Sequence, residues 1–539
     1  MPLRFARRTP EAYDYPLTIR HLLHAALTTA ADREIIYRDT HRYTYAEMNR
    51  RLARLAGALA ALGVREGATV AVMDWDSHRY LECYFAIPMM GAVLQTVNVR
   101  LSAEQIRYTL EHARAEVLIV NRDFLGLLAQ IGPLPGLRAM ILIDETGQGT
   151  DADFAGEYEA LLASAEPFEF VDFDENAIAT TFYTTGTTGD PKGVEFSHRQ
   201  IVLQALAGNA PFGVTGDRGF GHGDVYMPLT PMFHVHAWGM PYIATMLGVT
   251  QVYPGRYEPE LICRLRQEHG VSFSHCVPTI LQMVLAEAGR TGADLAGWMM
   301  IIGGAAMTPA LCAEARAHGM SVVSGYGMSE TAPLITITRP CGDEPDEATA
   351  VETLCRAGVP VPLIDLRVVD GEMRDVPHDG VTQGEVVVRS PWLTQGYVGN
   401  DAASAELWRG GWLHTQDIGT IDADGYLVIR DRLKDVIKTG GEWLSSLALE
   451  ALIAEHDAVA EVAVVGVPCP KWSERPLAVI VPSSGGSVDR DGVNGLLRHS
   501  VDSGAISKFA LLDRIELVDA LPRTSVGKID KKALRARFG

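Results

Sequence analysis

Tyr183-Thr184-Thr185-Gly186-Thr187-Thr188-Gly189-Asp190-Pro191-Lys192-Gly193 decides how this 539-residue chain is read. The apolar run 178–182 just before it reads as a buried strand, so the stretch is a loop leaving a strand end. Its three glycines let backbone come close to a ligand, and its four threonine hydroxyls and Lys192 offer donors to phosphate oxygens. It is not the Walker A arrangement: no Gly precedes Lys192, no Ser or Thr follows it, and Pro191 intrudes. A Gly/Thr-rich surface turn is the plainer alternative, and the order of hydroxyls and lysine weighs against it.

On either side of that loop, helix signals alternate with short apolar strands. Thr44-Tyr45-Ala46-Glu47 is a capping box, followed by Leu52, Leu55, Leu59 and Leu62 at helical spacing and stopped by Gly63. Ser102-Ala103-Glu104-Gln105 caps a second helix. Strands are expected at 69–73, 117–120, 139–143, 298–302 and 320–323, and helices at 259–268 and from Pro309. The pattern predicts an α/β fold with layers around largely parallel sheets. After Val359 the texture turns to β, with strands at 366–369, 385–389 and 426–430 and a hairpin turn at Asp424-Gly425. From Lys434 a small α+β unit is expected, with helices at 447–454 and 491–499 and strands at 461–467 and 477–481. The charged run 430–435 between the two parts reads as a solvated hinge.

Length predicts roughly three to four domain-sized units. Lys+Arg 47 against Asp+Glu 67 leaves a net charge of -20, a poor basis for non-specific nucleic-acid binding or a polybasic membrane anchor. An anionic ligand must then be held by local groups. The seven cysteines (Cys83, Cys263, Cys276, Cys312, Cys341, Cys355, Cys469) show no C-x-x-C pair and no zinc spacing, and read as reduced, mostly buried thiols. The first fifteen residues have no apolar core of a signal peptide, and the longest apolar run, 83–97, is interrupted by Pro88, Gly91 and Gln95. The expectation is a cytoplasmic protein without a membrane span.

Four further stretches join the loop: Tyr326-Gly327-Met328-Ser329-Glu330-Thr331; Gly411-Trp412-Leu413-His414-Thr415-Gln416-Asp417-Ile418-Gly419; Asp431-Arg432-Leu433-Lys434-Asp435 with Ile437-Lys438-Thr439-Gly440-Gly441-Glu442; and Pro522-Arg523-Thr524-Ser525-Val526-Gly527-Lys528. In these motifs and their order the chain resembles the adenylate-forming superfamily of acyl-CoA synthetases, luciferases and peptide-synthetase adenylation domains, over nearly its whole length. The resemblance implies a large N-terminal domain, 1–431, made of two layered α/β sheets and a β-rich subdomain, and a small mobile α+β lid, 432–539, hinged at Lys434. It implies ATP, Mg²⁺ and CoA as reactants and cofactor, a small carboxylic acid as substrate, no nucleic acid, and a homodimer.

Carried over residue by residue, it implies that Thr184, Thr185, Gly186, Thr187, Thr188, Gly189 and Lys192 hold the ATP phosphates. Tyr326 would lie against adenine, with Gly303, Gly304 and Ala305 lining the base. Thr331 would touch the α-phosphate, Glu330 would bind Mg²⁺, and Asp417 would accept both ribose hydroxyls. Arg432 would support ribose or phosphate, and Lys528 would bridge the acyl carboxylate and the α-phosphate. Gly440 and Gly441 would let the pantetheine chain of CoA approach. The acid pocket would be walled by His234, Trp238, Gly303, Gly327 and Pro333. Each residue also has a bland reading: a helix-start acid for Glu330, a core aromatic for Tyr326 and Trp238, a turn residue for Asp417, a solvated cation for Arg432 and Lys528.

Three positions depart from the family pattern: Gln416 and Ser473 stand where Gly is usual, and Cys469 where Asp is usual. His234 and His236 could suggest a metal, but their spacing without an acidic third ligand is weak for one, and the resemblance makes His234 a pocket wall instead. The expected reaction is acyl-CoA ligation through an acyl-adenylate; a non-CoA acceptor and a catalytically dead binding protein are the rivals. Against a peptide-synthetase domain, no carrier domain precedes the end at Gly539. Against a dead protein, Glu330 and Lys528 are both present. The run from Pro231 to Tyr257 is similar to the branch with medium-chain fatty-acid ligases and 3-methylmercaptopropionate:CoA ligases. The bulk of Trp238 and the lack of Arg or Lys in the wall predict a short to medium acid with an uncharged tail, 3-methylmercaptopropionate or a short fatty acid, with medium/long-chain acids as the alternative.

Overall fold

The computed structural model describes residues 3–149, 153–184, 190–213, 219–339, 346–439, 442–483, 485–503, 506–523 and 529–539. Among these the strands form four sheets. The first runs in the order Gly156–Glu157, Ala139–Ile143, Ala115–Asn121, Thr69–Met73, Val93–Thr96, Ile178–Thr184, Lys192–Ser197. Its pairings are parallel except the last. Thr69–Met73 is buried along its whole length, which is why it reads as a continuous apolar run instead of an alternating one. Both expected capping boxes are made: Thr44 with Glu47 opens the helix Tyr45–Ala61, and Ser102 with Gln105 opens Ala103–His112.

The second sheet has nine strands, in the order Val359–Pro360, Leu334–Ile337, Ser321–Gly327, Met299–Ile302, Phe273–Cys276, Val225–Leu229, Thr250–Tyr253, Glu34–Tyr37, His41–Thr44. The N-terminal hairpin Glu34–Thr44 joins this sheet, not the neighbouring first one: Ile36 pairs with Val252. The helix Pro259–His269 and Thr308-capped Pro309–Ala317 form as the sequence predicts. The apolar run 83–97 divides between the helix His78–Met89 and the strand Val93–Thr96, and no described helix is long and apolar enough to cross a membrane.

The third sheet is an antiparallel meander of Asp365–Val369, Gly384–Arg389, Leu413–Ile421 and Leu427–Arg432. The fourth contains Glu442–Leu444, Ile437–Thr439, Ser473–Pro482, Val459–Cys469 and Ile515–Leu517. It packs under a core of its own, with Leu449, Ile453, Val464, Ile480 and Val493, separate from the core that runs from Ile19 to Leu427. The chain is thus a large N-terminal part of layered sheets and a smaller α+β C-terminal part.

The junction differs from a solvated hinge. Asp431 is buried, and its Oδ2 accepts the Ser446 N–H at 2.5 Å and the Ser446 hydroxyl at 2.6 Å. The Lys531 ammonium donates to Ser446 Oγ at 2.6 Å and pairs with Glu450 at 2.7 Å. Charge in this run is therefore partly structural: a carboxylate beside a helix start satisfies N–H groups that the helix leaves free.

Candidate active site

Four of the predicted segments lie at the carboxyl ends of strands in the two largely parallel sheets, where open α/β sheets leave crevices for ligands. Ile178–Thr184 runs into the threonine loop, Met299–Ile302 into Gly303, Ser321–Gly327 into the Glu330 turn, and Val225–Leu229 into the segment carrying His234 and Trp238.

One corner is built by Tyr326, Asp417 and Arg432. Asp417 and Arg432 face each other across the antiparallel pair of Leu413–Ile421 and Leu427–Arg432. The Tyr326 hydroxyl donates to Asp417 Oδ2 at 2.7 Å, and Arg432 Nε stands 3.5 Å from Oδ1. Burial, together with the Asp417 charge, raises the Tyr326 pKa, so it stays a neutral donor. Gln416, beside Asp417, has φ 58, a left-handed conformation. Its carbonyl accepts the Leu433 N–H at 2.9 Å. The departure from Gly therefore falls where Gly would be at ease, and Gln adopts the conformation under tertiary hydrogen bonds.

A second corner joins Lys192 and Glu330. Thr184 and Lys192 are register partners, so both ends of the threonine loop meet at one point. Glu330 lies in the short turn Ser329–Thr331 and is buried. Tyr397 links the two: its hydroxyl donates to Glu330 Oε1 at 2.7 Å, and the Lys192 ammonium lies 4.5 Å from its ring centroid. Burial raises the Glu330 pKa, and the Tyr397 hydrogen bond and the Lys192 and Arg432 charges oppose that rise. The Thr331 hydroxyl is engaged with the turn itself, donating to Met328 O at 3.0 Å, and its carbonyl accepts the Trp392 indole N–H at 3.1 Å. Thr185, Gly186, Thr187, Thr188, Gly189, Gly440, Gly441 and Lys528 lie outside the described residues.

The third corner is the proposed acid wall. Val235, His236, Ala237, Trp238 and Gly239 all have φ between 47 and 72. A left-handed turn of L-residues costs about 1–2 kcal/mol per residue, and Val is among the worst suited. The Trp238 ring carbons would lie 3.0 and 3.4 Å from a Cβ at Gly303, and its ring centroid is 5.1 Å from that of His275. A Cβ at Gly303 would also stand 2.8 Å from the Gly325 carbonyl oxygen, so glycine leaves the room that the edge of the indole takes. A Cβ at Gly327 would stand 1.7 Å from the Pro333 carbonyl oxygen, so these two wall residues are in contact as well. Gly304 and Ala305 are exposed, and Gly304 has φ 75. The His236 imidazole is hydrogen-bonded to Thr180. Among the described residues no group of three or more His, Cys, Asp or Glu is arranged to hold a metal ion.

Residues 23–398 match the family described as AMP-binding enzyme, and residues 448–528 match the AMP-binding enzyme C-terminal domain. The chain belongs to the AMP-binding enzyme family. It is 40% identical over 535 residues to a long-chain-fatty-acid–CoA ligase of Thermus thermophilus, covering 97% of this chain and 96% of that one. It is 37% identical over 536 residues to a 3-methylmercaptopropionyl-CoA ligase of Ruegeria lacuscaerulensis, covering 97% of each. Among solved structures, an anthranilate CoA ligase in complex with anthranoyl-AMP superposes with a TM-score of 0.85 at 25% identity, covering 97% of this chain and 98% of that one.

The motifs of this AMP-binding enzyme were legible in its sequence; Tyr397, Trp392 and Thr394, whose N–H donates to Glu330 O at 3.0 Å, were not, because a loop after a strand carries no periodic signal. The C-terminal domain adds another group without such a signal. Trp472 and Phe509 meet edge to face at 5.2 Å, with Lys471 4.7 Å from the indole and Lys508 5.7 Å from the phenyl ring. Aromatic faces flanked by cations suit a nucleotide. Ser473, next to Trp472, has φ 73, so a second position where the family favours Gly is left-handed here too.

Proposed function

We propose that this AMP-binding enzyme is an ATP-dependent acyl-CoA ligase for a short to medium carboxylic acid with an uncharged tail. The acid's carboxylate oxygen attacks the α-phosphorus of ATP, the bond to the β-phosphate oxygen breaks, and pyrophosphate leaves. The CoA thiolate then attacks the acyl carbonyl, and AMP leaves. The residues mainly position groups and neutralise charge. Asp417, held by Tyr326 and flanked by Arg432, offers carboxylate oxygens to ribose hydroxyls. Lys192 is poised at the end of the threonine loop for phosphate oxygens. Glu330, a buried carboxylate with one oxygen held by Tyr397, would hold a Mg²⁺ ion shared with substrate phosphates, as expected of a cation that takes few protein ligands. Bound Mg²⁺ would neutralise phosphate charge. Lys528 would serve the adenylation step, and Gly440 and Gly441 the approach of CoA, with the C-terminal domain turning at Lys434 between the steps.

The observation that carries the choice of acid is the Trp238 indole lying on Gly303. A ring in that place shortens the room for an alkyl tail, and each methylene without room loses about 1–3 kcal/mol. Its face suits an apolar or thioether tail such as that of 3-methylmercaptopropionate. A longer acid is the second reading, favoured by the name of the Thermus relative. The test is kcat/KM with ATP, Mg²⁺ and CoA for straight-chain acids from acetate to palmitate and for 3-methylmercaptopropionate. The expected optimum lies below about twelve carbons, and Trp238→Ala moves it to longer chains. An optimum at or beyond that length in the unmodified enzyme would overturn the reading in favour of the second.

A further inference from the structure

We propose that His236 is a positioning residue for the acid site: it fastens the left-handed turn 235–239 to the strand that leads into the phosphate loop, and so sets where His234 and Trp238 stand. The proposal rests on the reading of those two residues as the acid wall. A run of L-residues with positive φ persists only where surrounding bonds over-determine it. The approach to the turn is pinned from other elements. Met232 N–H donates to Asp76 Oδ1 at 2.8 Å, the Tyr84 hydroxyl donates to Met232 O, and Thr96 Oγ1 donates to Phe233 O at 2.9 Å. Inside the turn, Ala237 N–H reaches His234 O at 3.1 Å and Gly239 N–H reaches His236 O at 2.9 Å.

The bond that ties the turn to the phosphate side comes from His236. Its Nε2 lies 2.7 Å from Thr180 Oγ1. Thr180 has one hydroxyl proton, and that proton goes to Leu94 O at 3.0 Å. Its oxygen therefore accepts from His236, which assigns the Nε2–H tautomer from the hydrogen-bond network. Tyr84 and Phe182 box the imidazole edge to face, each with its centroid 5.2 Å away. Burial pulls the His236 pKa down to about 3, so the ring stays a neutral donor in the working range. Thr180 belongs to Ile178–Thr184, the strand whose last residue opens the threonine loop. One side chain thus joins the acid turn to the strand that carries the phosphate loop.

Steady-state kinetics on four variants test this. His236→Leu removes the donor and leaves Thr180 its bond to Leu94; Thr180→Val removes the acceptor; His236→Gln restores an N–H near the same place; Trp238→Ala reports on the acid wall. The expected result is a rise in KM for the acid on the order of 10- to 100-fold in His236→Leu and Thr180→Val, with a broadened chain-length profile. KM for ATP should stay within about two-fold, and His236→Gln should recover most of the loss. An unchanged acid KM in folded His236→Leu, or an equal rise for acid and ATP, overturns the proposal. If His236→Leu does not fold, the comparison of Thr180→Val with His236→Gln carries the same two outcomes. A shifted profile in Trp238→Ala with none in the His236 and Thr180 variants leaves the acid wall standing and removes His236 from it. An unshifted profile in Trp238→Ala removes the wall, and the proposal with it.

Discussion

Tyr397 does two jobs with one side chain. Its hydroxyl holds one oxygen of Glu330, and its ring face lies under the Lys192 ammonium. A buried carboxylate and a lysine from distant motifs are thus kept near each other without forming a direct pair. Tyr397→Phe separates the two roles, since it keeps the ring and loses the hydroxyl. A hydrogen bond to a charged group contributes about 1.5–3 kcal/mol, so the Mg²⁺ concentration for half-maximal ATP–pyrophosphate exchange should rise on the order of 10-fold. Calorimetric binding of ATP without the metal should change little in Phe and weaken in Tyr397→Leu, which also loses the cation's ring. A Mg²⁺ dependence in Tyr397→Phe equal to that of the unmodified enzyme would remove this assignment. Gln416 and Ser473 make the converse point: both adopt positive φ although neither is glycine. No interaction of the Ser473 side chain explains why it stands there.

At the scale of elements, the strands Leu427–Arg432 and Ile437–Thr439 are joined by Leu433 to Val436, and bonds cross this joint. Asp431 holds Ser446, the Ser445 hydroxyl donates to Arg430 O, and Arg535 pairs with Asp435 at 2.7 Å. Turning the C-terminal domain at Lys434 would break the bonds of Asp431 and Arg430 while carrying the Asp435–Arg535 pair along. They belong to one arrangement of the joint. Proline fixes φ near −65° and removes the N–H, so Lys434→Pro should restrict that turn. Thioester formation from acid, ATP and CoA should slow on the order of 10-fold or more relative to ATP–pyrophosphate exchange, because the full reaction needs both arrangements and the exchange needs one. Equal slowing of the two half-reactions would count against the hinge.

The whole molecule buries titratable groups of opposite tendency. Burial lowers His78 and His198 to about 4 and His236 and His275 to about 3. It raises Asp74 to about 6 and Asp76 to about 7. Below about 6.5 the unfolded chain protonates these histidines and the folded chain does not, so they make stability fall as pH falls. The two carboxyls act the other way: from about pH 7 down, the folded chain takes their protons while the unfolded chain, near 3.9, does not. Four histidines against two carboxyls leave a net loss of stability between pH 7 and 5.5. Urea titrations at the two pH values should show the midpoint lower at 5.5. A midpoint that stays level or rises would mean that the histidines are not held neutral.

Alone, the sequence determined the parts whose signals are local. The capping boxes of Thr44 and Ser102 were legible because the residues involved are three apart. The strands Thr69–Met73 and Ala139–Ile143 were legible because strands buried in a parallel sheet read as apolar runs. The family resemblance singled out Tyr326, Glu330 and Asp417; the structure brings Tyr326 to Asp417 and Glu330 to Tyr397. Tertiary structure alone decided which sheet receives the hairpin Glu34–Thr44, since its partner Val252 is far along the chain and any apolar strand edge would serve locally. It also decided that Tyr397 meets Glu330 and Lys192, that Asp431 is buried, and that Val235 to Trp238 are left-handed. The sign of φ at these non-glycine residues has no local signal strong enough to read: L-residues resist that conformation, and the bonds around the turn include ones from distant strands, such as that of Thr180 with His236.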